Sequence, residues 1–158
     1  MDREDRVPVR VLICENDPFM RSALTDLIRS VSGLELCGVA VDADAAGVEA
    51  ARIEPDVALL DVRMPGGGGP EAARLIRARC PTTRLIAFSA HADRPVVLEM
   101  LRAGIKEYLI KGTDDDDLVD AIRRTGRGHL GLGKAEMEEL VFDLVDMLNE
   151  AGQRVPVG

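Results

Sequence analysis

Five short apolar runs alternate strictly with five stretches of helical periodicity, and that alternation predicts an α/β fold, a parallel sheet covered by helices on both faces. The third run, Asp56–Asp61 (DVALLD), points the same way. Its Val57, Ala58, Leu59 and Leu60 follow one another without a polar break, the pattern of a strand buried on both sides. Length agrees too, since 158 residues make one domain of ordinary size.

Taken in order, Val9–Cys14 (VRVLIC) is apolar and β-branched and reads as the first strand. Asp17 follows as an N-cap with Pro18 at the first helical position. Met20, Leu24, Leu27, Ile28 and Val31 then fall at helical spacing until Gly33. Leu34–Val41 is the second strand, Asp42–Ile53 an alanine-rich helix closed by Pro55, and Asp56–Asp61 the third strand. Gly66–Gly69 reads as a flexible loop, because the Lys-[Ser/Thr] pair of a phosphate-cradling loop does not follow it. Pro70–Arg79 is the third helix, Arg84–Ser89 the fourth strand, Pro95–Ala103 the fourth helix and Glu107–Ile110 the fifth strand. Thr113–Arg124 is the fifth helix, opened by a capping-box pattern; the carboxylates Asp114–Asp117 suit the positive end of a helix dipole. Five such units fit a flavodoxin-like, doubly wound five-stranded sheet in the order 2-1-3-4-5, whose switch point lies between strands 1 and 3.

Composition narrows the function. A net charge of −8 argues against non-specific nucleic-acid binding, which needs clustered Lys and Arg, so no direct DNA binding by this chain is expected. Arg123, Arg124 and Arg127 read as a basic helix C-terminus. Cys14, Cys37 and Cys80 show no metal spacing and read as thiols of a reducing compartment. The start MDREDRVPVR has no apolar signal core and no run is long enough to span a membrane, so a cytoplasmic location is expected.

In the predicted fold, four strand ends bring polar groups to one crevice: Glu15 and Asn16 from the first, Asp61 from the third, Ser89 from the fourth and Lys111 from the fifth. Clustered oxygen ligands suit a hard cation such as Mg²⁺. A carboxylate beside it can attack phosphorus and become an acyl phosphate, with a hydroxyl and an ammonium to neutralise the transferred group.

The segments VLICENDPFMRSAL, DVALLDVRMPG, LIAFSAH and AGIKEYLIKG resemble the receiver domain of a two-component response regulator, over about residues 8–127. The last segment is similar to receivers that precede helix-turn-helix output domains. The resemblance implies that Asp61 accepts phosphate from a sensor histidine kinase or a phosphotransfer protein. It implies Glu15, Asn16, Asp61 and the backbone carbonyl of Arg63 as Mg²⁺ ligands. Ser89 would be the switch hydroxyl, Lys111 the partner of the phosphate and Tyr108 the aromatic switch, while Arg63 and His91 would set how long the phosphate lasts. No catalysis beyond self-phosphorylation and autodephosphorylation is implied.

One position departs from the pattern. The second acidic residue of the pair, normally an aspartate, is Asn16, which offers an oxygen but no charge. Asp17 either compensates or is occupied as an N-cap. Two readings therefore stay open: a phosphorylated switch that repacks the face of the fourth helix, fifth strand and fifth helix, or a receiver-like protein-interaction module that works without phosphate. A haloacid dehalogenase-type phosphatase would need a second acid where Arg63 stands, and a flavin-binding flavodoxin would need aromatics in a chain with only 3% of them.

Residues 1–127 form the expected receiver. Residues 128–158 form a glycine-rich linker, an amphipathic helix over Lys134–Ala151 and a short tail. The stripe Met137, Leu140, Val141, Leu144, Val145 and Leu148 either packs back on the domain or pairs with a second copy. A homodimer through this helix, or through the switch face, is one expected outcome. The tail is too short for a helix-turn-helix output domain, so output would come from another domain or a partner protein.

Overall fold

A computed structural model describes residues 7–90 and 93–128, together with Phe142 and Asp146. Ten elements alternate along the chain: β1 (Val9–Cys14), α1 (Pro18–Ser30), β2 (Leu34–Ala40), α2 (Ala43–Ile53), β3 (Val57–Leu60), α3 (Gly68–Arg79), β4 (Arg84–Ser89), α4 (Arg94–Arg102), β5 (Glu107–Ile110) and α5 (Asp115–Gly126). The strands form one parallel sheet in the order β2-β1-β3-β4-β5. The doubly wound, flavodoxin-like order expected from the sequence is the order observed.

Side-chain alternation divides the core. Val11 and Ile13 of β1, Val57 and Leu59 of β3, and Ile86 and Phe88 of β4 pack with α1 and α5 on one face. Their neighbours Leu12, Cys14, Ala58, Leu60, Leu85 and Ala87 pack with α2, α3 and α4 on the other. Successive strand residues point to opposite faces, so a strand covered on both sides is apolar throughout. On edge strand β2 the register slips between Val11 and Leu12, which puts Cys37 on a bulge where its thiol bonds the Val11 carbonyl at 3.2 Å. All three cysteines are free; Cys14 and Cys80 are buried and Cys37 only half-buried.

Two local expectations change. The capping box on the fifth helix does not form: α5 begins at Asp115, Asp114 caps it without a side-chain bond, and the Thr113 hydroxyl turns back to the Ile110 carbonyl at 2.6 Å. Because the helix starts one residue later than the pattern implies, Thr113 stands before the cap position, and the first turn is left to its dipole partners Asp115, Asp116 and Asp117. The glycine run is no loose loop either. Helix α3 begins inside it, and a Cβ on Gly69 would stand 2.9 Å from the Asp61 carbonyl oxygen, one on Gly68 2.7 Å from that of Val62. Glycine is what lets α3 begin directly against the backbone that carries Asp61.

The expected C-terminal helix lies outside the described residues except at Phe142 and Asp146, both helical. Among the described residues no helix is long and apolar enough to cross a membrane.

Candidate functional site

The carboxyl ends of β1, β3, β4 and β5 converge on one crevice. Asp61 leaves β3 with its amide bonded to the Cys14 carbonyl at 2.8 Å, which fixes it beside the end of β1. Lys111 leaves β5 with its amide bonded to the Ser89 carbonyl at 2.8 Å. Parallel neighbours in register deliver four side chains to one place.

Glu15 lies deepest, at 1% exposure. The Lys111 Nζ donates to it at 3.2 Å and stands 3.6 Å from Asp61. Burial and the neighbouring Asp61 carboxyl push the Glu15 carboxyl up to about 7, against the pull of Lys111 and the Asp17 amide. Two acids packed this closely in a site shielded from water resist carrying two charges at once. Asp61 itself is 7% exposed and accepts the Arg63 amide at 3.2 Å.

Asn16 is exposed at the crevice mouth. Asp17 is occupied as the cap of α1, accepting the Phe19 amide at 3.0 Å; its carboxylate holds a helix end. Arg63 is exposed. His91 lies outside the described residues. Ser89, fully buried, is hydrogen-bonded to the phenol of Tyr108, whose ring is 6% exposed. Burial raises that phenol to about 12. Tyr108 pairs in register with Ala87, whose small side chain leaves room for the ring. Among the described residues no group of three or more His, Cys, Asp or Glu gathers around one point.

Two contributors escaped the sequence reading. The Arg21 guanidinium, one turn into α1, donates to the carbonyls of Glu15 at 3.2 Å and Asn16 at 3.3 Å and pins the loop that carries both. Phe88 lies under Lys111, whose Nζ is 6.0 Å from the ring centroid. Arginine on an amphipathic helix reads as a solvated charge, and only the fold shows that its chain turns back over the loop.

Comparison with known proteins gives the same answer as the geometry. Residues 11–123 match the response regulator receiver domain. The response regulator GacA of Pseudomonas protegens is 31% identical over 134 residues, covering 85% of this chain and 63% of its own length. The chain thus spans less than two thirds of that relative. Among solved structures, the receiver domain of the putative response regulator NarL from Mycobacterium tuberculosis superposes with a TM-score of 0.73 at 30% identity, over 77% of this chain and 98% of that one. The receiver domain of the sensor histidine kinase PA1611 from Pseudomonas aeruginosa, whose structure has a magnesium ion in the active-site cleft, gives 0.68 at 27% identity, over 77% and 99%. With the strand order, the crevice and the matched residues in agreement, the chain belongs to the receiver domain family of two-component response regulators.

Proposed function

We propose that Asp61 is the phosphoacceptor of this receiver, taking its phosphoryl group from the phosphohistidine of a sensor kinase or a phosphotransfer protein. The observation that carries the reading is the buried pair of carboxyls, Asp61 and Glu15, with the Lys111 ammonium at 3.6 Å and 3.1 Å from them. An Asp61 carboxylate oxygen attacks phosphorus, the phosphorus–nitrogen bond of the donor breaks, and the imidazole nitrogen keeps the electron pair and takes up a proton. Lys111 is close enough to turn from the carboxylates to the incoming oxygens. Ser89 donates its hydroxyl to the same group.

The donor set suits Mg²⁺. Two adjacent carboxyls that resist a double charge on their own are a pair that a hard cation would relieve, and the neutral oxygens of Asn16 and the Arg63 carbonyl would complete a set of oxygen ligands. When bound, the ion would screen the charge of the phosphoryl oxygens as carboxylate and phosphate approach. Glu15, Asn16, Asp61 and Arg63 would hold it, and Arg21 keeps the loop of the first two in place. Arg63 and His91 are assigned to the lifetime of the phosphoryl group.

Phosphate on Asp61 competes with Tyr108 for the Ser89 hydroxyl. Losing that bond frees the Tyr108 ring and lets α4, β5 and α5 repack, a two-state surface biased by a local charge. A further domain or partner protein reads that surface.

Intact-mass spectrometry after incubation with acetyl phosphate tests the reading. One added phosphoryl group in the presence of Mg²⁺, absent with chelator and absent in Asp61→Asn, is the expected result. Label that persists in a folded Asp61→Asn overturns the assignment. No label in the parent leaves a binding module that works without phosphate.

A further inference from the structure

Arg21 lies one turn into α1, half-buried, and its Nη1 donates to two consecutive carbonyls, that of Glu15 at 3.2 Å and that of Asn16 at 3.3 Å. Those carbonyls belong to the two peptide planes that flank the Cα of Asn16, where the chain bends. A peptide unit is planar, so holding both planes fixes the two soft torsions of the residue between them. It fixes as well the direction in which that side chain leaves the backbone. The residues on either side are tied in further ways. The Asp17 amide donates to the Glu15 carboxyl at 3.2 Å, the Asp17 carboxylate caps α1, and the Arg21 amide donates to the Asp17 carbonyl at 2.9 Å. A side chain of α1 thus aims the loop residue that offers an oxygen without a charge.

We propose that Arg21 is a positioning residue for the metal, one that aims Asn16 and so sets both the affinity for Mg²⁺ and the preference for Mg²⁺ over Ca²⁺. This role rests on the Mg²⁺ reading above. A neutral amide oxygen draws a cation only weakly from a distance, so what it adds depends on its standing in the right place. Mg²⁺ is small and demands near-ideal octahedral geometry at about 2.0–2.1 Å, whereas Ca²⁺ accepts irregular sets at about 2.3–2.6 Å. A loop released from its arginine therefore costs Mg²⁺ more than Ca²⁺. The guanidinium charge works the other way, since it repels either divalent ion and does so about equally. The two effects have opposite signs. Lost aim weakens Mg²⁺ selectively, while lost repulsion tightens the binding of both ions.

Titrations of the full chain with MgCl₂ and with CaCl₂, followed by amide chemical shifts, give the two dissociation constants without any phosphoryl transfer. Arg21→Gln keeps a good helix former at that position. It should raise the Mg²⁺ constant about tenfold and the Ca²⁺ constant less than about threefold. Arg21→Lys keeps the charge on a side chain one atom shorter, and it should lose the preference too; it carries the same test if the glutamine variant does not fold. Asn16→Ala should weaken Mg²⁺ by itself, and adding Arg21→Gln to it should change the constant no more than about twofold, because the two residues act as one unit. An arginine with a merely structural role would lower the urea midpoint and leave the ratio of the two constants where it was, and that result overturns the proposal. Tighter binding of both ions in Arg21→Gln overturns it as well, since the guanidinium would then act as a repelling charge. So does a full further loss when Arg21→Gln is added to Asn16→Ala, which would route the effect through Glu15. A parent that binds Mg²⁺ while the variants keep its selectivity defeats the role of Arg21 alone. A parent that binds neither ion defeats the Mg²⁺ reading and the role of Arg21 with it.

Discussion

On the α1/α5 side the strands present Val9, Val11, Ile13, Val57, Leu59, Ile86 and Phe88 to Leu24, Ile28, Leu118, Val119 and Ile122. On the other side much of the interior is alanine: Ala58 and Ala87 in the strands, Ala43, Ala46 and Ala50 in α2, Ala72 and Ala73 in α3. Helices α2 and α3 approach so closely there that a Cβ on Gly47 would stand 2.9 Å from the Cβ of Leu75. The site divides along the same line. Lys111 stands over Phe88 of the bulky face, while Ser89 and Tyr108 lie beside Ala87 of the small-residue face. One face interlocks large side chains, and Lys111 stands over it. The other mixes its alanines with Leu12, Leu60, Ile76, Leu85 and Met100, and it carries Ser89 and Tyr108, the groups that the proposed switch would move.

The sharpest way to break this contrast is to delete bulk from each face in turn. Ile86 is fully buried on the bulky side, and Ile86→Ala should cost about 2–5 kcal/mol, from lost transfer energy and the cavity left behind. Ala58, equally buried one strand away on the opposite face, has one methyl to lose. Ala58→Gly should cost about 1–2 kcal/mol, the methyl plus the added backbone freedom. Urea unfolding monitored by circular dichroism reads both. Equal losses would show that the two faces share the load.

A second change adds bulk beside the switch. Ala87 pairs with Tyr108, so Ala87→Val should crowd the ring, cost about 1–3 kcal/mol and turn the phenol outward from Ser89. The chain has one tyrosine and no tryptophan, so its ultraviolet titration reports Tyr108 alone. Burial holds the parent phenol at about 12, against an ordinary 10, and the parent should therefore remain un-ionised at pH 10. The variant should show phenolate absorbance there. A variant that titrates like the parent would mean that the small residue is not what admits the ring.

The strand order and the strand-end residues were legible in the sequence because both follow from local pattern. A short apolar run bounded by turn residues fits a strand covered twice, and polar residues at its carboxyl end fall where such a sheet opens its crevice. Glu15, Asp61, Ser89 and Lys111 were found that way. What escaped depends on reach across sequence. Arg21 turns back to the loop before its own helix. Gly68 and Gly69 look like a flexible stretch until the backbone of Asp61 and Val62 is seen directly beneath them. The cap on α5 failed for a more local reason: Thr113 carries the right pattern, but the helix starts at Asp115 and makes Asp114 the cap residue.

That cap supplies the smallest test of the two faces. Helix α2 packs largely alanine and glycine against its neighbours, and the Asp42 carboxylate holds its start by accepting the Ala45 amide at 2.7 Å. Helix α5 buries Leu118, Val119 and Ile122 on the bulky side, and its cap residue Asp114 makes no such bond. Asp42→Ala should therefore cost about 1 kcal/mol, the usual value of an N-cap bond. Asp114→Ala should cost no more than about 0.5 kcal/mol, because only its charge near the helix dipole is lost. Both are read from denaturant midpoints at unchanged slope. A larger loss at Asp114 would mean that α5 depends on its first turn. Near-equality with Asp42 at a low value would mean that α2 is held by close packing alone, and that the small-residue face is firmer than its side chains suggest.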